Sequence, residues 1–198
     1  MCRIAGFWDF NYRGNLAHGG PDDGGIFLEP SYGLALTDRR LSILDLSSAG
    51  HQPMEFKNLV ITYNGEVYSF REIRQELEKE GYKFSSSDTE VILKAFHRWG
   101  FEAVHRFRGM FAFALWDKKE KKLILCRDRI GVKPLYYYTK DELFMTASEL
   151  KAFHKHPKFK KELSPLALSL FLCFFNMAIS LPHTAYLKTP ISLSSGTS

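Results

Sequence analysis

The chain has 198 residues, of which 45% are apolar and 25% charged, so one domain can bury a sizeable core and a disordered or fibrous chain is excluded. Lys plus Arg number 27 against 22 Asp plus Glu, and a net charge of +5 is too small to mark a nucleic-acid binder. The three cysteines, Cys2, Cys126 and Cys173, are scattered and form no disulfide framework, and the N-terminus lacks a basic segment followed by a long apolar run; a reducing, cytoplasmic setting is expected.

In chain order, residues 3–10 read as a first strand, followed by a turn-rich stretch over 11–25. Short strands are expected at 25–28, 33–36 and 41–44. A β-rich run at 58–63 ends at Asn64-Gly65, a dipeptide that by itself signals a hairpin turn. Two amphipathic helices follow, each opened by a capping box: Ser69 with Glu72, and Ser87 with Glu90. Gly81 and Gly100 stand at their far ends. Strands at 111–116 and 123–126 flank a charged hairpin tip, and strands at 134–138 and 143–146 make a second hairpin. A helix is expected at 149–154, and Ser164-Pro165 starts another. The apolar run 166–181 falls short of a membrane span, contains Asn176 and meets Pro182; it reads as a buried helix followed by an extended segment. The basic residues between 151 and 161 read as a solvated face. Many short hairpin-connected strands around a few helices point to an α+β fold with antiparallel sheets.

The first residue with chemistry is Cys2. With Met1 removed, its thiolate is a nucleophile and its α-amine, with an ordinary pKa of about 8, is a base on the same residue. Three further groups fit such a nucleophile. An Asn amide and the following backbone N–H at Asn64-Gly65 suit a developing oxyanion. Arg40, before the expected strand 41–44, suits a carboxylate. Asp88 at a helix N-terminus and Glu66 supply negative charge. Taken singly, each is a turn, a surface cation or a cap. No HxH, HExxH or CxxC spacing and no phosphate-binding loop occurs, so no metal and no nucleotide site of that kind is expected in this chain.

The blocks MCRIAGFWDF, HGGPDDGGIF, RRLSILDLSSAGHQPM, YNGEVYSFREIRQELEKEGYKFSSSDTEVILKAF, GMFAFALWD and RDRIGVKPLYYY occur in this order. Together they resemble the N-terminal glutaminase (class II glutamine amidotransferase) domain of glutamine-hydrolysing asparagine synthetases. The resemblance implies a four-layer αββα sandwich of the N-terminal-nucleophile hydrolase type. It implies a glutaminase domain over residues 2–160, with residues 161–198 a C-terminal helix and tail leading to a synthetase domain. Glutamine is the implied substrate, with Cys2 the nucleophile and Asn64 and Gly65 the oxyanion hole. Arg40 would pair with the α-carboxylate, Leu41, Ser42, Ile43 and Leu44 would line the pocket, and Glu66 and Asp88 would hold the α-ammonium. The implied reaction forms a cysteinyl thioester and releases ammonia for ATP-dependent amidation of aspartate. ATP and Mg would belong to a synthetase domain and no cofactor to this chain. The implied partners are such a domain or subunit and a second copy of the chain, with no nucleic acid and no membrane.

Four departures from the family pattern stand out. Arg3 replaces the Gly expected beside the nucleophile and is expected to crowd the thiol, with a lowering of the thiol pKa by its charge as the alternative effect. Residues 11–17 are too few for the helix usually found there, which would leave apolar surface exposed. An Arg is missing from the HGGPDD block, and Asp38 stands where the family has His. The chain ends before a synthetase domain begins, so alone it is not expected to make asparagine. The competing expectation is a degenerate, non-catalytic fragment that binds glutamine or a synthetase partner.

Overall fold

The computed structural model describes residues 3–8, 20, 22–40, 50–85, 87–141, 143–161, 165, 184–186 and 191–194. Its strands are β1 (Arg3–Trp8), β2 (Asp23–Glu29), β3 (Leu34–Arg40), β4 (Met54–Phe56), β5 (Leu59–Val67), β6 (Gly109–Asp117), β7 (Lys122–Arg127), β8 (Tyr136–Lys140), β9 (Leu143–Ala147), β10 (Thr184–Tyr186) and β11 (Ile191–Ser194). They form one sheet in the order β10-β8-β9-β1-β3-β2 and a second in the order β11-β7-β6-β5-β4, with every pairing antiparallel.

The sheets stack because alternate residues of their central strands are apolar. Ile4, Leu34 and Leu36 of the first sheet meet Val60, Ala112, Ala114 and Trp116 of the second. Trp116, with no exposed surface, packs on Tyr32 at a ring separation of 5.6 Å. Burying a side chain of this size contributes about 2–3 kcal/mol. The opposite face of the second sheet, with Ile61, Tyr63, Phe111 and Phe113, is covered by Ile73 and Leu77 of α1 (Phe70–Lys79) and Val91, Ile92 and Phe96 of α2 (Asp88–Trp99). The outer face of the first sheet packs Ala5, Met145 and Tyr138 against Phe153 of a 3-10 turn at Leu150–Lys155, close to the helix expected at 149–154. Ile26 and Leu28 of β2 remain 54% and 52% exposed. The shortened segment 11–17, held to leave such surface bare, and the apolar run 166–181 lie outside the described residues.

Local signals explain some element ends and not others. Ser87 caps α2: its hydroxyl accepts the Glu90 N–H at 3.2 Å. Ser69 does not cap α1, because its hydroxyl donates to the Arg106 carbonyl and accepts the Arg108 N–H, tying the helix to the strand that follows. In the β6–β7 hairpin, Asp117 accepts the N–H groups of Lys119 and Glu120 and fixes the turn. Arg39 and Arg40 end β3: residues 37–39 pair with β1 and β2 on both sides and Arg40 pairs with Asp23 of β2, while the strand expected at 41–44 lies outside the described residues.

The loop after β7 is organised by Asp128, which is 2% exposed. Its carboxylate accepts the N–H groups of Phe111, Val132 and Lys133, and Arg127 donates to the carbonyls of Gly131 and Lys133.

Candidate functional site

The centre of the site is an edge of β5. The strand does not turn at Asn64-Gly65, as the dipeptide suggested; it runs straight on to Val67, in register with β6. Gly65 has φ +150°, and a Cβ there would strike the Met110 carbonyl and the Phe111 Cα, so the glycine serves the close approach of β6. Phe111, opposite Gly65, directs its N–H and C=O to Asp128. The Gly65–Phe111 pair therefore exchanges no ladder bonds, and the Gly65 N–H turns to the other side of the strand. On that side β4 stops pairing at Ile61.

Side chains take the vacated places. The Tyr63 N–H donates to Gln52 Oε1 at 2.6 Å, and the Val67 N–H donates to Asp88 Oδ2 at 3.3 Å. The Gly65 N–H lies between them on the same edge. Beside it Asn64, 1% exposed, carries a buried Nδ2 with no hydrogen-bond partner among the described residues. An amide donor left unmade in a buried place is costly unless a ligand meets it.

Asp88 is the first residue of α2, yet Ser87 does the capping, and the Asp88 carboxylate reaches back to β5. Oδ2 accepts the Tyr63 hydroxyl at 2.7 Å as well as the Val67 N–H. Burial raises its pKa above the ordinary carboxylate value. The hydrogen bonds from Tyr63, Val67 and Thr89 offset part of this, and the charge of Glu66 adds to it. Glu66 and Asp88 line a cavity of about 390 Å³ together with Tyr68 and Arg71. Two carboxylates on one wall suit a cationic group. Tyr63→Phe is expected to cost about 1–2 kcal/mol in urea unfolding at pH 7, since it removes a hydrogen bond to a buried carboxylate. It should also move the Asp88 titration further upward; an unchanged unfolding midpoint would show that bond to be idle.

Arg40 sits on the face of β3 that carries Leu34 and Leu36 into the space between the sheets, while Arg39 points to the other face against Gly24. The Arg40 guanidinium lies directly on Gly50, where any Cβ would displace it. Gln52, two residues beyond Gly50, holds the Tyr63 N–H, so the segment 50–52 connects the cation to the open edge of β5 over about 7 Å of chain. The two sheets also touch through the Thr62 hydroxyl, which donates to the Thr37 carbonyl at 3.2 Å.

β1 begins at Arg3, the residue after Cys2, and is tied to the end of β9: Ile4 N–H donates to the Ser148 hydroxyl, and Ser148 N–H donates to the Ile4 carbonyl. Arg3, expected to crowd the thiol, pairs its guanidinium with Glu149. It shares the strand face of Ala5, away from Ile4 and the space between the sheets. Cys2 and Leu41, Ser42, Ile43 and Leu44 lie outside the described residues. The structure thus brings Asn64, Gly65, Glu66 and Asp88 onto one strand edge and links Arg40 to it.

Sequence reasoning missed Gln52 and Tyr63. Both lie in the recognised blocks, but their contribution is a contact across the fold that no local spacing reveals. Gln52 also donates to the Thr89 hydroxyl at 3.4 Å, joining α2 to the same edge.

A family model described as "Glutamine amidotransferase domain" matches residues 1–196. The putative asparagine synthetase (glutamine-hydrolyzing) 2 of Methanocaldococcus jannaschii is 36% identical over 192 residues, covering 88% of this chain and 37% of its own length. Asparagine synthetase (glutamine-hydrolyzing) 1 of Bacillus subtilis is 42% identical over 140 residues, covering 69% of this chain and 22% of its own length. The chain therefore spans well under half the length of these relatives. Among solved structures, the glutamine phosphoribosylpyrophosphate amidotransferase of B. subtilis superposes with a TM-score of 0.63 at 21% identity, over 77% of this chain and 43% of that one. The stacked antiparallel sheets thus share the fold of that amidotransferase, and the α+β architecture agrees with the expectation from sequence. With the family match running over nearly every residue, the chain belongs to the glutamine amidotransferase domain family.

Proposed function

We propose that the chain hydrolyses the side-chain amide of glutamine, with Cys2 as nucleophile once Met1 is removed. The observation that carries this reading is the open edge of β5, where a buried Asn64 Nδ2, without a partner among the described residues, stands beside the Gly65 N–H. In the proposed reaction the Cys2 sulfur attacks the amide carbon, and the negative oxygen of the tetrahedral intermediate accepts from these two donors. The α-amine of Cys2 takes the thiol proton and passes it to the leaving nitrogen, which departs as ammonia. Water then cleaves the γ-glutamyl thioester, releasing glutamate and restoring the thiol.

Arg40 holds the α-carboxylate, and Glu66 and Asp88 hold the α-ammonium; a zwitterion needs one cation and opposing anions, and these groups flank one edge. The backbone of Leu41, Ser42, Ile43 and Leu44 lines the pocket. Passing the ammonia to ATP-dependent amidation of aspartate, by a synthetase domain or subunit, is the acceptor chemistry that the resemblance to asparagine synthetases supports.

The test is ammonia release from glutamine by N-terminally processed protein, with mass-spectrometric mapping of labelling by diazo-oxo-norleucine. Release together with modification of Cys2 is expected. A processed, folded protein that releases no ammonia and leaves Cys2 unlabelled sinks the reading in favour of a fragment that binds without turnover.

A further inference from the structure

The chain leaves the second sheet at Gln52. Met54 pairs with Ile61, so a continued ladder would set Gln52 opposite Tyr63. The main-chain carbonyl of Gln52 crosses to the other sheet and lies over Gly25 of β2, where a Cβ on that glycine would collide with it. The side chain takes the vacated place against β5. Oε1 accepts the Tyr63 N–H at 2.6 Å, and the residue is only 4% exposed.

The same carboxamide has a second contact. A main-chain N–H requires an acceptor, so the Tyr63 bond fixes Oε1 on β5 and turns Nε2 toward α2, where it donates to the Thr89 hydroxyl at 3.4 Å. Thr89 is itself buried and follows Asp88, whose carboxylate accepts the Tyr63 hydroxyl at 2.7 Å. Gln52, Tyr63 and the first turn of α2 thus close a ring of hydrogen bonds. Next to Gln52, His51 Nδ1 lies 2.8 Å from Asp23 Oδ2 of β2, and Gly50 beyond it underlies the Arg40 guanidinium. One residue therefore ties together the edge that carries Asn64 and Gly65, the helix that carries Asp88, and the segment that meets Arg40.

We propose that Gln52 is a positioning residue for cleavage of the glutamine amide: its side chain fixes β5 at Tyr63, one residue before Asn64, and so holds the two oxyanion donors in register with the groups at the amino-acid end. It acts through Asn64 and Gly65. The inference rests on the assignment of these two residues to the oxyanion. Such donors are effective only where they are already aimed at the oxygen as it acquires charge, and a small misplacement forfeits much of their effect. The signature is a loss of kcat that passes through Asn64, with little change in KM.

The experiment is a double-mutant cycle of Gln52→Met, which keeps the length of the side chain and removes both of its hydrogen bonds, with Asn64→Ala. In the otherwise wild-type protein Gln52→Met is expected to lower kcat for glutamine hydrolysis by about 10- to 100-fold, with KM changed by less than about threefold. In the Asn64→Ala protein the same substitution should lower kcat by less than about fivefold, because one of the donors it positions is already gone. Equal losses in the two backgrounds, as a general weakening of the fold would give, overturn the proposal, and so does an unchanged kcat or a loss expressed in KM. A second measurement needs no variant and decides the matter if Gln52→Met does not fold. In the wild type the Tyr63 amide is expected to exchange with deuterium at least about 10²-fold more slowly than an open amide, both free and after labelling of Cys2 by diazo-oxo-norleucine. Fast exchange of Tyr63 in the labelled protein overturns the proposal, since the bond would then be absent when the site is occupied. Failure of the underlying reading looks different: no ammonia from the wild type, or an unchanged kcat in Asn64→Ala, and either removes the proposal with it.

Discussion

Asn64→Ala is expected to lower kcat for glutamine hydrolysis by about 10²- to 10³-fold, with KM changed by less than about threefold. The reasoning starts from the free state. Asn64 Nδ2 is buried without a partner among the described residues, so removing it breaks no hydrogen bond of that nitrogen to them. Its full effect falls where an oxygen acquires negative charge, and a group that acts only there changes kcat and not ground-state affinity. The Gly65 N–H remains and accounts for residual turnover. Stability should change by no more than about 1 kcal/mol, the scale of one small buried side chain without that bond. Steady-state kinetics and urea unfolding on one preparation decide the matter. A loss of turnover that tracks a collapse in stability, or one expressed wholly in KM, would remove Asn64 from the oxyanion site.

Asp128→Ala should be the most destabilising of the single substitutions considered, at about 3–5 kcal/mol. Its carboxylate serves three backbone N–H groups, at 3.3 Å to Phe111, 2.8 Å to Val132 and 3.0 Å to Lys133, in a place closed to water. Alanine leaves all three donors without that acceptor, each at about 1–3 kcal/mol before relaxation. Asp128→Asn keeps one carbonyl acceptor and should cost less than half as much. The damage reaches β6, because the Phe111 N–H is held away from Gly65 by this carboxylate. Denaturant unfolding of both variants measures the difference; equal losses for Ala and Asn would mean that packing, and not acceptor count, holds the loop.

The sequence made some of this architecture legible. The spacing of Val91, Ile92, Ala95 and Phe96 after a Ser cap marks α2 through purely local physics, and the cap forms as read. The same pattern at Ser69 is not a cap, because a distant segment, residues 106–108, uses that hydroxyl first. Asn64-Gly65 has the composition of a hairpin turn, yet β6 pairs straight through it; the glycine answers a neighbour 45 residues away in sequence, which no window of a dozen residues contains. β3 ran past its expected end because Thr37, Asp38, Arg39 and Arg40 look like loop residues until both flanking strands are in place. Arg40, Asn64, Gly65, Glu66 and Asp88 could be named from the resemblance. The bonds that position them, from Gln52, Gly50 and Tyr63, came only with the fold.

The brevity of β4 has a consequence for how such a domain could have arisen and how it could be lost. A three-residue strand leaves its neighbour's rim uncovered, and bare rims invite foreign strands. Here Gln52 and Asp88 plug the amides on either side, so the unsealed gap is one residue wide: too narrow for another polypeptide to zip onto, and wide enough for a single oxygen atom. Continuing the register of β4 by four residues, which would set residue 50 opposite Gly65, would stitch that gap shut and convert a reactive rim into ordinary sheet.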